Sequence, residues 1–413
     1  MTASPQNSAA IRSITWRYYL VSASYMFGPL FIMAVYPLFL RSRGLSQFQI
    51  NVVAAVYVLM TFLTDIPTGA FADAVGRRAA VVVGCALHAA AFLVYFLSHN
   101  YWYFAVAAMA DGLGTTFGNG PIDAWAIDAL DAAGFEGPKD AMFSRRFQVG
   151  QVAGICGTLA GAYIAQVNIA APFAVVAVVW TAAGLTALAM MEPSRGRPTQ
   201  LAQVASEVRR RSVDSTSLGF ADRSVRLLSI AGFLSALMWS GWGQEWQQFF
   251  NRGLHSGIGA VGWVSVALIA AQVAGLELAA RLRGASKHRA ALIGSMSAVS
   301  CAALIAAGFA EGQVWFALAA VMLATFVMGI AGPIGFAWFN EIISGENRAT
   351  LLSFGTTLST LGSIVGLPAQ GRLVDTFGTA VTWQIAGLVS MTRVLCYVAL
   401  ANPRRELREK PAL

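Results

Sequence analysis

Three carboxylates, Asp111, Glu245 and Asp65, stand inside or at the ends of long apolar runs. A charge there is costly and is kept for pairing, ligand binding or proton transfer. Asp111 sits in "ADGLGTTFGNGP", a glycine-rich stretch able to line a cavity. It lies ~15 Å into its run at 1.5 Å per residue, close to the middle of a bilayer. A carboxylate at that depth suits proton coupling or cation binding; the alternative is a structural pair with a neighbouring helix. Glu245 sits in "WSGWGQEWQQFF" with Trp239, Trp242 and Trp246. Spacings of three and four bring several of these onto one helix face. An acid among aromatic rings suits a cationic or amphipathic ligand; the alternative is an interfacial tryptophan belt, with Glu245 meeting outer water or Arg252. Asp65, just before Pro67, is either an inner-cavity proton site or part of the adjoining loop. Tyr36, in the first run, is a further candidate for substrate binding. Glu277 most simply pairs with Arg281, one turn away.

These residues need helices that cross a membrane to position them. The chain has 413 residues, 57% hydrophobic and only 12% charged, against about 25% charged in soluble domains. Mean hydropathy is +0.61. Twelve runs are long enough to span a bilayer: 15–40, 47–70, 79–98, 101–125, 143–168, 171–191, 225–250, 258–281, 289–309, 313–340, 349–372 and 379–400. The expected fold is therefore all-α and polytopic. Residues 1–191 form one six-span bundle, 192–224 a hydrophilic cytoplasmic linker with Arg209, Arg210 and Arg211, and 225–413 a second bundle. The first span follows a short polar tail without a signal-peptide pattern, so it is expected to stay in the protein.

Charge placement orients the chain. With the N-terminus inside, about 23 Lys and Arg fall on inner segments against about 4 outside; Arg393 is left within a span. Both termini are therefore expected in the cytoplasm, in a cell inner membrane. The net charge of +8 reads as topology facing anionic lipid, not as a nucleic-acid surface. The four cysteines and four histidines are scattered without a zinc spacing, so no metal and no cofactor are expected. No nucleophile–base set or P-loop appears, which argues against an enzyme or an ATP-driven pump.

The halves resemble each other. "RGLS" at 43–46 recurs as "RGLHS" at 252–256, and "GPIDAWAID" at 120–128 as "GPIGFAWFNE" at 333–341. Both pairs keep their order and side, as in a parallel repeat related by an axis along the membrane normal. Between spans two and three lies "GAFADAVGRRA". Gly69 permits close approach of a helix and Gly76 a turn with positive φ. Asp73 can interact with the helix N-terminus that begins the eleventh span on the same side. Arg77 can pair with Asp123 or Asp128 at the inner end of span four.

That loop, on Gly69, Asp73, Gly76, Arg77 and Arg78, resembles the conserved inner loop of the major facilitator superfamily. The resemblance implies twelve helices in two six-helix bundles with a parallel pseudo-twofold, working by alternating access. It also implies that Asp73 latches the halves together. In the second half the matching loop reads "ELAARLRGASKHR", with Arg281 where the acid would stand, so the gate is expected to be asymmetric. Gly150, Gly154, Gly157 and Gly161 resemble the glycine series of drug-exporting members without its proline; such spacing also serves helix packing. The expectation is a monomeric, proton-coupled exporter of a small organic molecule. Uptake of a small solute and a non-transporting membrane receptor are the alternatives.

Overall fold

The computed structural model describes residues 5–193, 217–282, 288–310, 312–343 and 348–401. The three arginines of the linker, the loop glycine Gly284 and the basic C-terminal tail lie outside them. All described elements are helical: α1 (Pro5–Phe31), α2 (Tyr36–Ser42), α3 (Gln47–Val75), α4 (Arg77–Leu97), α5 (Tyr101–Ala132), α6 (Asp140–Val167) and α7 (Ala171–Met190). After the linker come α8 (Arg223–Trp242), α9 (Trp246–Leu254), α10 (Ile258–Arg281), α11 (Arg289–Phe309), α12 (Val314–Ile342), α13 (Arg348–Met391) and α14 (Arg393–Ala401).

Eight of these stretches are long and apolar enough to cross a membrane, and α1 with α2, bent by 44°, makes a ninth. The bend has a local cause. Pro37 has no N–H to continue the ladder and its ring crowds the turn before it, so α1 stops and α2 restarts with the proline in its first turn. Helices α5 and α6 carry more polar residues, and at 32 and 28 residues they are long enough to cross. Helix α13 contains two spans, because Gly378 breaks it at φ 81° and ψ 167°. Twelve spans result, in the places read from the apolar runs.

The described chain divides into two compact units. One comprises the described residues within 1–45, 56–206 and 256–263; the other those within 46–55, 207–255 and 264–413. The contiguous halves expected from the sequence are thus exchanged at two short segments, the first turns of α3 and of α10. Within the first unit α4 packs on α5 and α7, and α1 on α6 and α7. Within the second, α11 packs on α12 and α14, and α8 on α13 and α14. With α8 matched to α1, the same neighbours recur in the same order.

Small residues set the helix spacing. A Cβ on Gly161 of α6 would overlap the carbonyl oxygen of Phe31, and one on Gly154 would stand 2.8 Å from Leu30 Cδ1. The glycine series of α6 therefore seats α1. Thr158 adds a bond by donating to the Leu30 carbonyl at 2.8 Å. Gly161→Leu is expected to lower the thermal-unfolding midpoint in detergent, by an overpacking cost of about 1–3 kcal/mol or more; an unchanged midpoint would mean that α1 and α6 are not held this closely.

Candidate functional site

Two helices bring the central acid to a partner. Counting from opposite ends, His88 lies ~16 Å into α4 and Asp111 ~15 Å into α5 at 1.5 Å per residue. The helices are antiparallel neighbours, so both residues fall at one level. His88 Nδ1 stands 2.5 Å from Asp111 Oδ1. The imidazole is 3% exposed and the carboxylate 19%, so the histidine is buried and the acid partly exposed. The opposite ring nitrogen, Nε2, faces the Tyr25 hydroxyl at 3.4 Å.

The imidazole lies flat on the indole of Trp180, with centroids 3.9 Å apart and planes 13° from parallel. Tyr25 meets the same indole edge-on at 4.7 Å. Glycines make this fit possible. A Cβ on Gly114 would press on His88 Cδ2 at 3.0 Å, and one on Gly118 would occupy the ring position of Tyr25. At Gly114 and Gly118 the glycine-rich stretch of α5 thus receives side chains from α4 and α1 instead of lining an empty cavity. The Thr115 hydroxyl donates to the Asp111 carbonyl at 3.0 Å and lies 3.0 Å from the Tyr57 hydroxyl.

This arrangement can hold a proton in two states. With a neutral imidazole, Nδ1–H donates to the carboxylate. One more proton gives an imidazolium paired with that carboxylate and resting on an indole face, which attracts cations. The sequence singled out Asp111 but not its neighbour His88, which stands alone on its own helix. The matching depths on adjacent antiparallel spans were the available signal.

The loop after α3 keeps part of its expected chemistry. Gly76 has φ 111° and precedes α4, as a turn of this kind requires. Arg77 binds Asp73 at 3.1 Å and Asp128 at 3.8 Å. Arg78 donates to the Leu188 and Met191 carbonyls at the end of α7. Of the two acids expected near Arg77, Asp123 is held by Arg146 at 2.6 and 2.7 Å and accepts from the Tyr18 hydroxyl at 2.8 Å. A Cβ on Gly69 would meet nothing within 4 Å, so among the described residues no helix packs closely there. Asp65 is exposed, and no described side chain bonds its carboxylate. Tyr36 joins an aromatic cluster, its hydroxyl 3.0 Å from that of Tyr95 and its ring tilted on Phe173.

The second unit places Glu245 away from water. It is 1% exposed, at the break between α8 and α9, and Oε2 accepts from Trp383 Nε1 at 2.9 Å. Neither Arg252 nor outer water is its partner, since α9 turns the side chain inward. Trp239 meets Trp242 edge-on at 5.1 Å, and Trp242 stacks on Trp246 at 6.3 Å. Beside them the first turn of α3 is held by a polar cluster. Asp375 accepts from the backbone N–H of Gln47 and of Phe48, each at 2.9 Å. Gln47 Nε2 donates to Asn51 and to the Gln244 carbonyl, Gln248 Nε2 donates to Gln47, and Asn51 donates to the Leu367 carbonyl. A Cβ on Gly371 would stand 2.8 Å from the Gln47 carbonyl oxygen and Phe48 Cα.

The residues of this cap repeat a pattern. Gly371, Asp375 and Gly378 carry the spacing of Gly69, Asp73 and Gly76. Gly378 and Gly76 share a positive φ followed by extended ψ. The arginine pair is absent, with Thr379 and Ala380 in its place, so the recurrence is easily passed over in the sequence.

Residues 18–244 and 228–412 each match the sequence profile of the Major Facilitator Superfamily. The chain belongs to the major facilitator superfamily. It is a multi-pass membrane transporter, built as two six-helix bundles. Its fold is similar to that of a point variant of the nucleoside transporter NupG, with TM-score 0.78, 12% identity, and 94% of this chain and 99% of that one covered. A POT family transporter in complex with 5-aminolevulinic acid gives 0.71 at 13% identity, covering 94% and 96%. A D-xylose-proton symporter gives 0.68 at 14%, covering 94% and 97%. At such identities the likeness concerns the superfamily fold alone. No curated protein sequence matches the chain.

Proposed function

We propose that this superfamily member is a monomeric, proton-coupled secondary transporter of a small organic solute, lying in a cell inner membrane with both chain ends in the cytoplasm. The observation that carries the reading is the His88–Asp111 pair, a two-state proton acceptor with one partly exposed oxygen-bearing member. Protonation changes the charge between α4 and α5, and with it the balance between conformations. Asp65 and Glu245 are secondary acids of the same pathway. The Asp73 loop and the Asp375 cap act at opposite ends of α3, one released while the other holds.

Export is the direction proposed, following the glycine series of α6. Uptake is the second reading, favoured by the likeness to a D-xylose-proton symporter. Everted membrane vesicles test both. An acid-inside gradient should drive accumulation of a solute found by thermal-shift screening if the protein exports; uptake gives efflux from the vesicles instead. Collapse of the gradient should abolish either movement. Transport indifferent to the gradient rejects proton coupling, and a solute that binds without moving favours the receptor reading.

A further inference from the structure

The second unit contains a cavity of about 780 Å³, within the range of small-molecule sites. Its wall combines hydroxyls, among them Ser297, Ser353 and Thr356, with the rings of Trp239, Phe336 and Tyr397. One charged side chain lines it, Arg393 of α14.

Arg393 is 5% exposed. One terminal nitrogen donates to Ser235 Oγ at 2.5 Å and the other to Ser300 Oγ at 2.9 Å, while Nε has no partner. Among the described residues no carboxylate lies within ion-pair distance of it. A guanidinium always carries its charge and presents five donors in a fork fitted to carboxylate and phosphate oxygens. Buried charges are ordinarily paired, because an unpaired one loses hydration without compensation. Two serine hydroxyls position this fork and leave its charge unmatched.

We propose that Arg393 is the anion-binding residue of this cavity, and that the solute carried is a small organic anion with an apolar or aromatic body. A carboxylate, sulfonate or phosphate ester meets the guanidinium; the rings take the remainder and the hydroxyls select its polar substituents. This assignment rests on the transport reading for the word "carried", but the charge preference of the cavity does not.

The test uses the full chain with Cys85, Cys156, Cys301 and Cys396 replaced by alanine and a reporter thiol at Ser297→Cys, reconstituted in liposomes. Labelling rates are measured with anionic sulfonatoethyl, cationic trimethylammonioethyl and neutral hydroxyethyl methanethiosulfonates, each relative to its rate with free 2-mercaptoethanol. The anionic reagent should be favoured over the cationic by about tenfold. Arg393→Gln should erase that preference with the neutral rate unchanged, and Arg393→Lys should retain most of it. Equal ratios with and without Arg393, a cationic preference, or a thiol no reagent reaches would overturn the proposal. Should the Arg393→Gln protein not purify, the parent ratio against 2-mercaptoethanol decides alone. Adding phosphatidylglycerol to the liposomes separates sources: suppression of labelling by the neutral reagent, which feels no surface potential, would assign the cavity to a lipid headgroup and overturn the solute. Anion-selective labelling without solute-driven proton movement would defeat the transport reading and leave the cavity's assignment standing.

Discussion

Asp111→Asn is expected to reduce proton-coupled solute movement by about 100-fold or more, the lower range for loss of a positioned proton-transfer group. The amide has nearly the shape of the carboxylate and can still accept from His88 Nδ1, so the helices keep their packing. What is lost is the anion that stabilises an imidazolium 2.5 Å away. His88→Gln should cause a similar loss for the complementary reason, since the acid remains without its proton-carrying partner. His88→Ala should also destabilise the protein, by leaving the acid unpaired and opening a void against Trp180. Solute exchange without a gradient separates the cases: a pure coupling defect leaves exchange near wild type while gradient-driven movement disappears. Full gradient-driven transport by Asp111→Asn would remove this pair from the mechanism.

The second large effect is expected at the opposite end of α3. Asp375 satisfies two of the free N–H groups that every helix N-terminus presents, and its charge faces the positive end of the helix dipole. Asp375→Ala removes both bonds, a loss of up to about 1 kcal/mol for an exposed carboxylate. That corresponds to a shift of about fivefold in the balance between a closed and an open cap. Asn51 is fully buried behind the cap, so its exposure reports opening. In a cysteine-free background, the thiol of an Asn51→Cys reporter should react with a membrane-impermeant maleimide about fivefold faster when Asp375→Ala is added. Gly371→Leu should act in the same direction, because its side chain would enter the space of Gln47 and Phe48. An unchanged rate would mean that the cap is a static brace.

Much of the fold was legible because it follows from one-dimensional patterns. Apolar runs fix the spans and Gly76 fixes the turn, whereas the bend at Pro37 was passed over within a run read as continuous. Asp111 was legible for the same reason, being a charge where hydrocarbon should be. Its partner depends on which helices are neighbours, and no periodicity along α4 marks His88. Asp123 shows the same limit: the sequence offered it to Arg77, and the fold brings Arg146 to it. Glu245 looked exposed because tryptophans often mark an interface, yet the break between α8 and α9 turns it toward Trp383. Arg393 was visible as a charge inside a span; its significance came only from the absence of a carboxylate around it among the described residues.

The account requires that the two ends of α3 be exposed in alternation, and paired reporters measure this directly. Asn51→Cys reports the end held by Asp375, and Gly69→Cys the end where the structure leaves open space. Labelling rates, each divided by that of a free thiol at the same pH so that thiolate formation cancels, are followed from pH 5 to 8 and again with Asp111→Asn; they should move in opposite directions with pH, and the Asp111→Asn protein should lose that response. Rates that rise and fall together, or that ignore both pH and Asp111, would contradict a transporter opening one end at a time under the control of a proton on the His88–Asp111 pair.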